Sequence, residues 1–251
     1  MSDRELQVAF HARADHERYQ NRMSNPFLLA KERHLARLVA GENPADQGCL
    51  LEVGCGEGSN LAFLAEALKG WARFGIDFSE AKIAYLLVEQ PGVEAVAGDA
   101  LHLPFADGSF DLVLCRDLLH HVDANRDQAV SEALRVLRPG GRLVVFESSG
   151  RKLLNRVFRL LQPAERGSAN STPASLAALA ERHGGGTLSF VECSFLIRAL
   201  GFVVGWPGRL TRILAAPLYG LAWLWERACE ALLPRNCWTY MMLELVKDGA
   251  D

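Results

Sequence analysis

From position 49 onward, two hydrophobic rhythms succeed one another along the chain. Cys49 to Val53 is a short apolar run containing one acid, Glu52, and ended by glycine. Ser59 to Leu68 then places apolar residues at 61, 64, 65 and 68, the spacing of one helix face, with Ser59 as the candidate N-cap. The pair recurs as Ala72 to Ile76 with Ser79 to Glu89, as Val93 to Ala97 with a loop, and as Phe110 to Cys115 with Ala124 to Leu137. Arg142 to Phe146 follows "RPGG", which reads as a helix stop. Strands alternating with helices predict a parallel sheet covered on both faces through right-handed crossovers, a doubly wound α/β architecture.

Outside this core the rhythm changes. Two helical segments open the chain up to about Gly41, and the turn "ENPADQG" separates them from the first strand. Beyond Ser148, helices are expected at Arg151 to Leu161 and Pro173 to His183 around the polar loop "QPAERGSANST", and again near Phe190 to Leu200. A strand at Phe202 to Trp206, an apolar helix at Leu210 to Leu233 containing Pro217, and a last strand at Tyr240 to Val246 complete the reading.

Composition narrows the classes. With 251 residues, 49% of them hydrophobic, the chain can bury a sizeable core. A net charge of -3 supplies no global field to hold a polyanion, so nucleic acid is not the expected partner. The six cysteines form no C-x-x-C pair and no zinc-like spacing; they read as reduced thiols, and no metal cluster is visible. The charged N-terminus lacks a signal-like apolar region, and Ile213 to Trp225 is too short to span a bilayer, so a cytoplasmic location is expected.

The candidate chemistry begins at "LLEVGCGEGSN", residues 50–60. Gly54, Gly56 and Gly58 let the backbone bend sharply at the carboxyl end of the first strand, where ligands bind in open α/β sheets. The dinucleotide fingerprint fails at its third glycine, where Ser59 stands. Glu52 would also oppose a pyrophosphate there by roughly 1 to 4 kcal/mol at contact distance, whereas it would attract a sulfonium or an ammonium group. Asp77, ending "GID" on the second strand, is placed to accept from both ribose hydroxyls, or else to cap the following helix. Asp99, at the end of the third strand, is placed to accept from an adenine amino group, with the backbone amide of Ala100 or Leu101 facing the ring.

Taken together, "LLEVGCGEGSN", "GIDFSEAKI", "GDALHLPFADGSFDLVLCRDLLHHV" and "ALRVLRPGGRLVVFE" resemble the class I S-adenosylmethionine-dependent methyltransferases, in particular the small-molecule branch called type 11. The resemblance covers about residues 48 to 148. It implies S-adenosyl-L-methionine as cofactor, S-adenosyl-L-homocysteine as product, and no metal. It implies that the glycine loop with Glu52 and Cys55 holds the methionine part, Asp77 the ribose, Phe78 the adenine face, and Asp99 with Ala100 and Leu101 the adenine edge; Arg116 joins this cofactor set. It also implies a seven-stranded sheet of order 3-2-1-4-5-7-6 with strand seven antiparallel, N-terminal helices, and helical insertions after strands five and six. On that reading residues 1–46 are a helical cap, 47–149 the cofactor-binding core, and 150–251 the completion of the sheet with insertions over the substrate.

Methyl transfer needs an acceptor lone pair in line with the breaking C–S bond, and a hydroxyl acceptor must lose a proton. His120 or His121, after strand four, is the candidate general base, with Glu147 at the end of strand five to orient it. Either histidine can instead be structural. Tyr19 is expected on a helix that closes over the cofactor. In the late helix, Leu210, Ile213, Leu214, Leu218, Leu221, Trp225 and Leu232 form one apolar face, readable as core, as a lid over a hydrophobic acceptor, or as a peripheral membrane contact. The expected reaction is O-methylation of a small aromatic or lipophilic molecule. C- or N-methylation of a quinone, a lipid or another metabolite, and a non-catalytic cofactor-binding partner subunit, are the alternatives. A nucleic-acid amino-methylase is disfavoured because "CRDL" stands where that branch carries D/N/S-P-P-Y/F/W.

Overall fold

The structure, a computed structural model, describes residues 16–150, 163–192, 209–234, 238 and 240–249. Helices α1 (His16–Ser24) and α2 (Pro26–Ala40) lead into β1 (Cys49–Val53), α3 (Ser59–Ala67), β2 (Ala72–Asp77), α4 (Glu80–Glu89), β3 (Val93–Ala97) and β4 (Phe110–Arg116). A short 3₁₀ turn (Asp123–Asn125), α5 (Arg126–Val136) and β5 (Leu137–Ser148) follow. Then come a second 3₁₀ segment (Pro163–Asn170), α6 (Pro173–Arg182), β6 (Thr187–Glu192), α7 (Arg209–Leu232) and β7 (Tyr240–Val246). The seven strands lie in the order β3-β2-β1-β4-β5-β7-β6, parallel from β3 to β5, with β7 antiparallel to both of its neighbours. The expected doubly wound sheet and its reversed seventh strand are both present.

The two-residue period of the strands sorts side chains onto two faces. Leu50, Leu112, Leu114, Val144 and Phe146 join Leu35, Val39, Leu61, Leu64, Ile83 and Leu86 of α2, α3 and α4. Leu51, Val53, Val113, Leu143 and Val145 join Ala129, Val130, Ala133, Leu176 and Leu179 of α5 and α6. Nine-residue α3 is too short to persist alone, since isolated helices below about 12 residues are marginal in water; burying Leu61 and Leu64, at roughly 1.5–3 kcal/mol each, holds it in place. The same alternation puts Glu52 and Arg116 on the α2/α3 face and Glu147 on the α5/α6 face. Two buried polar clusters at the carboxyl rim follow from that parity.

Four expectations need correction. Ser59 is not the cap of α3: Gly58, at φ +81°, takes that position, and Ser59 is the first helical residue. "RPGG" is not a break before β5 but part of it, because Gly140 donates to Lys247 O and Lys247 donates to Gly141 O, which extends the ladder with the chain end. No helix starts at Phe190; Thr187 to Glu192 is a strand, because β7 offers a ladder edge and Leu188 and Phe190 pack on the core at strand spacing. Among the described side chains of the apolar face expected on α7, Leu221, Trp225 and Leu232 are not core but 64%, 55% and 81% exposed, while Ala222, Glu226 and Cys229 beside them are buried. The expected helix at 151–161 and strand at 202–206 lie outside the described residues, as does the rest of the stretch after Glu192 that was read as helical.

Candidate active site

Between β1 and α3 the chain turns on three left-handed glycines, Gly54, Gly56 and Gly58. Gly54 and Cys55 donate to Ile76 O at 2.7 and 3.1 Å, so β2 holds the loop. Gln90, just past α4, donates to Gly58 O at 2.7 Å. Gly58 and Gly54 take φ values of +81° and +78°, and a Cβ at each would also crowd Leu86 at 2.7 Å and Leu118 at 3.0 Å, so a larger residue would be strained at both. Gly56 differs: a Cβ there would meet nothing within 4 Å, which leaves open space along the loop for a ligand.

Glu52 is fully buried on the α2/α3 face. Asn60 donates to its Oε1 in a very short contact, while Oε2 is buried without a hydrogen-bond partner. Burial pushes this carboxyl up to about 8, against the weaker downward pull of Asn60 and Arg116. Glu52 is therefore protonated near neutral pH until a cation approaches. An orphaned acid oxygen costs about 1–3 kcal/mol, and the ammonium or sulfonium of the methionine part, directly or through water, would relieve it. The residues present fit that cofactor.

Arg116 is turned inward beneath the loop. Its guanidinium makes a bidentate pair with Glu32 of α2 and donates to Asn60 Oδ1 at 2.7 Å and to the Tyr240 hydroxyl at 3.1 Å. Burial alone would raise the Glu32 carboxyl, but Arg116 and Arg22 outweigh it and hold the group well below the usual range. Arg22 of α1 donates to Glu32 and to the Ser59 hydroxyl at 2.9 Å, which ties α1 to the first turn after the glycine loop. Tyr19, also on α1, is buried edge-on against Tyr85 of α4, ring centroids 5.4 Å apart. Arg116 thus reaches Glu52 through Asn60.

On the adjoining strands, Asp77 accepts from Gly56 N through Oδ2 and from Ser79 N through Oδ1, both at 3.0 Å. Ser79 caps α4, while Asp77 supports both the glycine loop and the cap. Each carboxylate oxygen retains a second lone pair for a ribose hydroxyl. Phe78, beside it, is 43% exposed, as a ring awaiting a stacking partner would be. At the end of β3, Leu101 N is already donated to Asp99 Oδ1 at 2.9 Å, so of the two expected amides only that of Ala100 is left to face an adenine.

The second cluster lies on the other face. After β4 the backbone turns at Asp117, φ +52°, and carries Leu118 against Gly54 and His120 back over the end of β5. His120 Nδ1 lies 2.9 Å from Glu147 Oε2, and the backbone amide of His120 donates to Oε1 at 3.3 Å. A carboxylate only accepts, so Nδ1 carries the hydrogen, and in the neutral ring Nε2 is the unprotonated nitrogen. His121 packs its ring 4.0 Å from that of His120. Ser171 Oγ donates to the same Glu147 Oε2 at 2.9 Å.

Asn60, Gln90, Glu32, Arg22 and Ser171 were not singled out from the sequence. Only Asn60 carries a local signal, as a polar residue on the inward face of α3 two positions past Gly58; the others meet partners that are remote in the chain.

Residues 51–145 match the family described as methyltransferase domain. The demethylmenaquinone methyltransferase of Renibacterium salmoninarum is 33% identical over 160 residues, 61% of this chain and 66% of that protein. The phthiotriol/phenolphthiotriol dimycocerosates methyltransferase of Mycobacterium leprae is 38% identical over 96 residues, 38% of this chain and 35% of that protein. In shape, phosphoethanolamine N-methyltransferase 2 of Haemonchus contortus, in complex with S-adenosyl-L-methionine, matches 88% of this chain and 53% of its own with a TM-score of 0.60; at 15% identity this shows the fold. The chain spans between 29% and 66% of the lengths of the curated relatives it matches first. Fold, motifs and relatives agree: residues 51–145 form a methyltransferase domain of the class I S-adenosylmethionine-dependent kind.

Proposed function

We propose that this protein transfers the methyl group of S-adenosyl-L-methionine to an oxygen of a small aromatic or lipophilic molecule, with His120 as general base and Glu147 holding the imidazole. The observation that carries this reading is the 2.9 Å contact between His120 Nδ1 and Glu147 Oε2, next to the loop that suits the cofactor. When bound, the cofactor supplies an electrophilic methyl carbon on a sulfonium. The chain's own groups do the rest. Glu52 and the glycine loop hold the methionine end, Asp77 the ribose, and Phe78, Asp99 and Ala100 the adenine. His120 Nε2 takes the acceptor's hydroxyl proton as the new C–O bond forms, and Glu147 stabilises the resulting imidazolium.

Two observations support a lipophilic acceptor. The relatives named above act, by their names, on demethylmenaquinone and on phthiotriol dimycocerosates. Leu221, Leu224, Trp225, Ala228 and Leu232 also fall within one exposed arc of about 100° on α7 at helical spacing. Arg227 lies about 60° beyond that arc on the exposed flank, 5.8 Å over the Trp223 ring. Such a face suits the surface of an anionic bilayer that stores the acceptor. No helix among the described residues is long and apolar enough to cross a membrane.

The test is methyl transfer from isotopically labelled cofactor into a cell extract separated into aqueous and organic phases, run beside His120→Gln. Label accumulating in an organic-phase product with the native protein alone supports the reading. Label in nucleic acid, in an amine, or equally with the variant overturns it.

A further inference from the structure

Ser171, which directly follows the second 3₁₀ segment (Pro163–Asn170), lies against the Glu147 and His120 pair. Ser171 is fully buried, and its hydroxyl lies 2.9 Å from Glu147 Oε2, the same oxygen that faces His120 Nδ1. Arg126, at the start of α5, donates to that hydroxyl at 3.1 Å. A hydroxyl has one hydrogen and two lone pairs. With a guanidinium hydrogen occupying the lone-pair side, the serine hydrogen is directed to the carboxylate.

Arg126 is itself fixed. Its guanidinium pairs with Asp123 at 2.7 Å and donates to Gly167 O at 3.2 Å and Asn170 O at 3.3 Å. Asn170 Nδ2 bonds to Asp123 Oδ2, and Gly150 N donates to Ser171 O at 2.7 Å. The fit is close: a Cβ at Gly167 would stand 1.9 Å from His120 O, so only glycine lets the loop approach.

We propose that Ser171, oriented by Arg126, is a positioning residue that sets the tautomer and basicity of His120 through Glu147. This rests on the reading of His120 as the base. The groups facing the pair are the Cys115 thiol on β4, the neighbouring His121 ring, and, across Ser171, Arg126 with Asp123. Ser171 shares the carboxylate's charge with the imidazole. Removing its donor concentrates negative charge on Oε2 and favours the imidazolium, so the neutral base appears only at higher pH.

The experiment follows the ring nitrogens of His120 by ¹⁵N NMR in the cofactor-free protein, assigned by their loss in His120→Gln. In the native protein the neutral ring carries its hydrogen on Nδ1. In Ser171→Ala the His120 titration midpoint moves up by about half to one pH unit, and Ser171→Thr, which keeps the hydroxyl, restores it. Once an acceptor is known, Ser171→Ala lowers kcat about tenfold, moves the acid limb of the pH profile in the same direction, and leaves the affinity for S-adenosyl-L-homocysteine within twofold. A midpoint unmoved in folded Ser171→Ala overturns the proposal, as does a fall in kcat with an unmoved limb. If Ser171→Ala does not fold, Ser171→Cys, which keeps the volume with a weaker donor, carries the same expectations. Undiminished turnover by His120→Gln would instead remove the base assignment itself.

Discussion

Two acids end up fully buried at the carboxyl rim, Glu52 on the α2/α3 face and Glu147 on the α5/α6 face, and their surroundings are opposite in kind. Glu147 is saturated, with the His120 amide, the His120 ring and Ser171 all turned to it. Glu52 has Asn60 on one oxygen and nothing on the other, and burial keeps it protonated near neutral pH. A saturated acid is a fixed part that tunes its neighbour. An unsatisfied one is open to a further polar or cationic partner. On the proposed reading, the contrast separates the group that would prepare the base from the group that would meet the cofactor.

The strongest test of this contrast acts on the saturated side. His120→Ala should lower kcat by at least about 10²-fold while S-adenosyl-L-homocysteine affinity stays within about twofold by calorimetry. Equal losses in both quantities would mean that the two clusters do not divide the work.

On the cofactor side, Asp77→Asn should weaken S-adenosyl-L-homocysteine roughly 10- to 150-fold, the worth of hydrogen bonds to a charged group. An unchanged dissociation constant in the same titration would remove Asp77 from the ribose site.

The pH dependence of Glu52 is read in stability rather than in turnover or affinity. Its carboxyl is raised from 4.5 to about 8, so between those values the folded protein holds a proton that the unfolded chain has released. Stability of the cofactor-free protein therefore falls as pH rises through that window, by up to about 1.4 kcal/mol per pH unit, and Glu52→Gln should abolish the slope. Binding the cationic donor at pH 7 should release close to one proton, read as a dependence of binding enthalpy on the ionisation enthalpy of the buffer. A stability profile identical in Glu52→Gln would show that the acid is ionised without its ligand.

A smaller effect is expected away from the rim. Trp225→Glu combined with Leu232→Glu should reduce co-sedimentation with anionic vesicles severalfold and change folding stability by no more than about 0.5 kcal/mol, since both side chains are exposed. Loss of stability without loss of vesicle binding would make the stripe a covered surface. Smallest of all, Glu66→Gln breaks the exposed pair with Arg33 and should cost less than about 1 kcal/mol in denaturant titration.

Much of this architecture was legible before any coordinates. β1, β3 and β7 occupy the residues read from apolar runs, and α4 and α6 differ by a residue at an end, because each buries a face whose period is written locally. The three glycines and Asp77 were legible for a related reason: a left-handed turn and the strand beside it constrain residue type at the position itself. "RPGG" and Phe190 misled because turn and helix signals there are overruled by ladder bonds to a chain end that lies up to about a hundred residues later. The partners of Arg116, namely Glu32, Asn60 and Tyr240, stand 56 to 124 residues away in the chain and leave no local signal.

By itself the chain's order of residues determined the alternating layers, the strand termini that carry Glu52, Asp77, Asp99 and Glu147, and the glycine turn, since propensity and periodicity act over a few residues at a time. Tertiary structure alone decided which acid would be saturated and which left open. Whether Asn60, Arg116, Ser171 or Arg126 reaches a carboxylate depends on how helices dock across the sheet. Once buried, a carboxylate's charge is governed by the few donors within about 3 Å rather than by its neighbours in sequence.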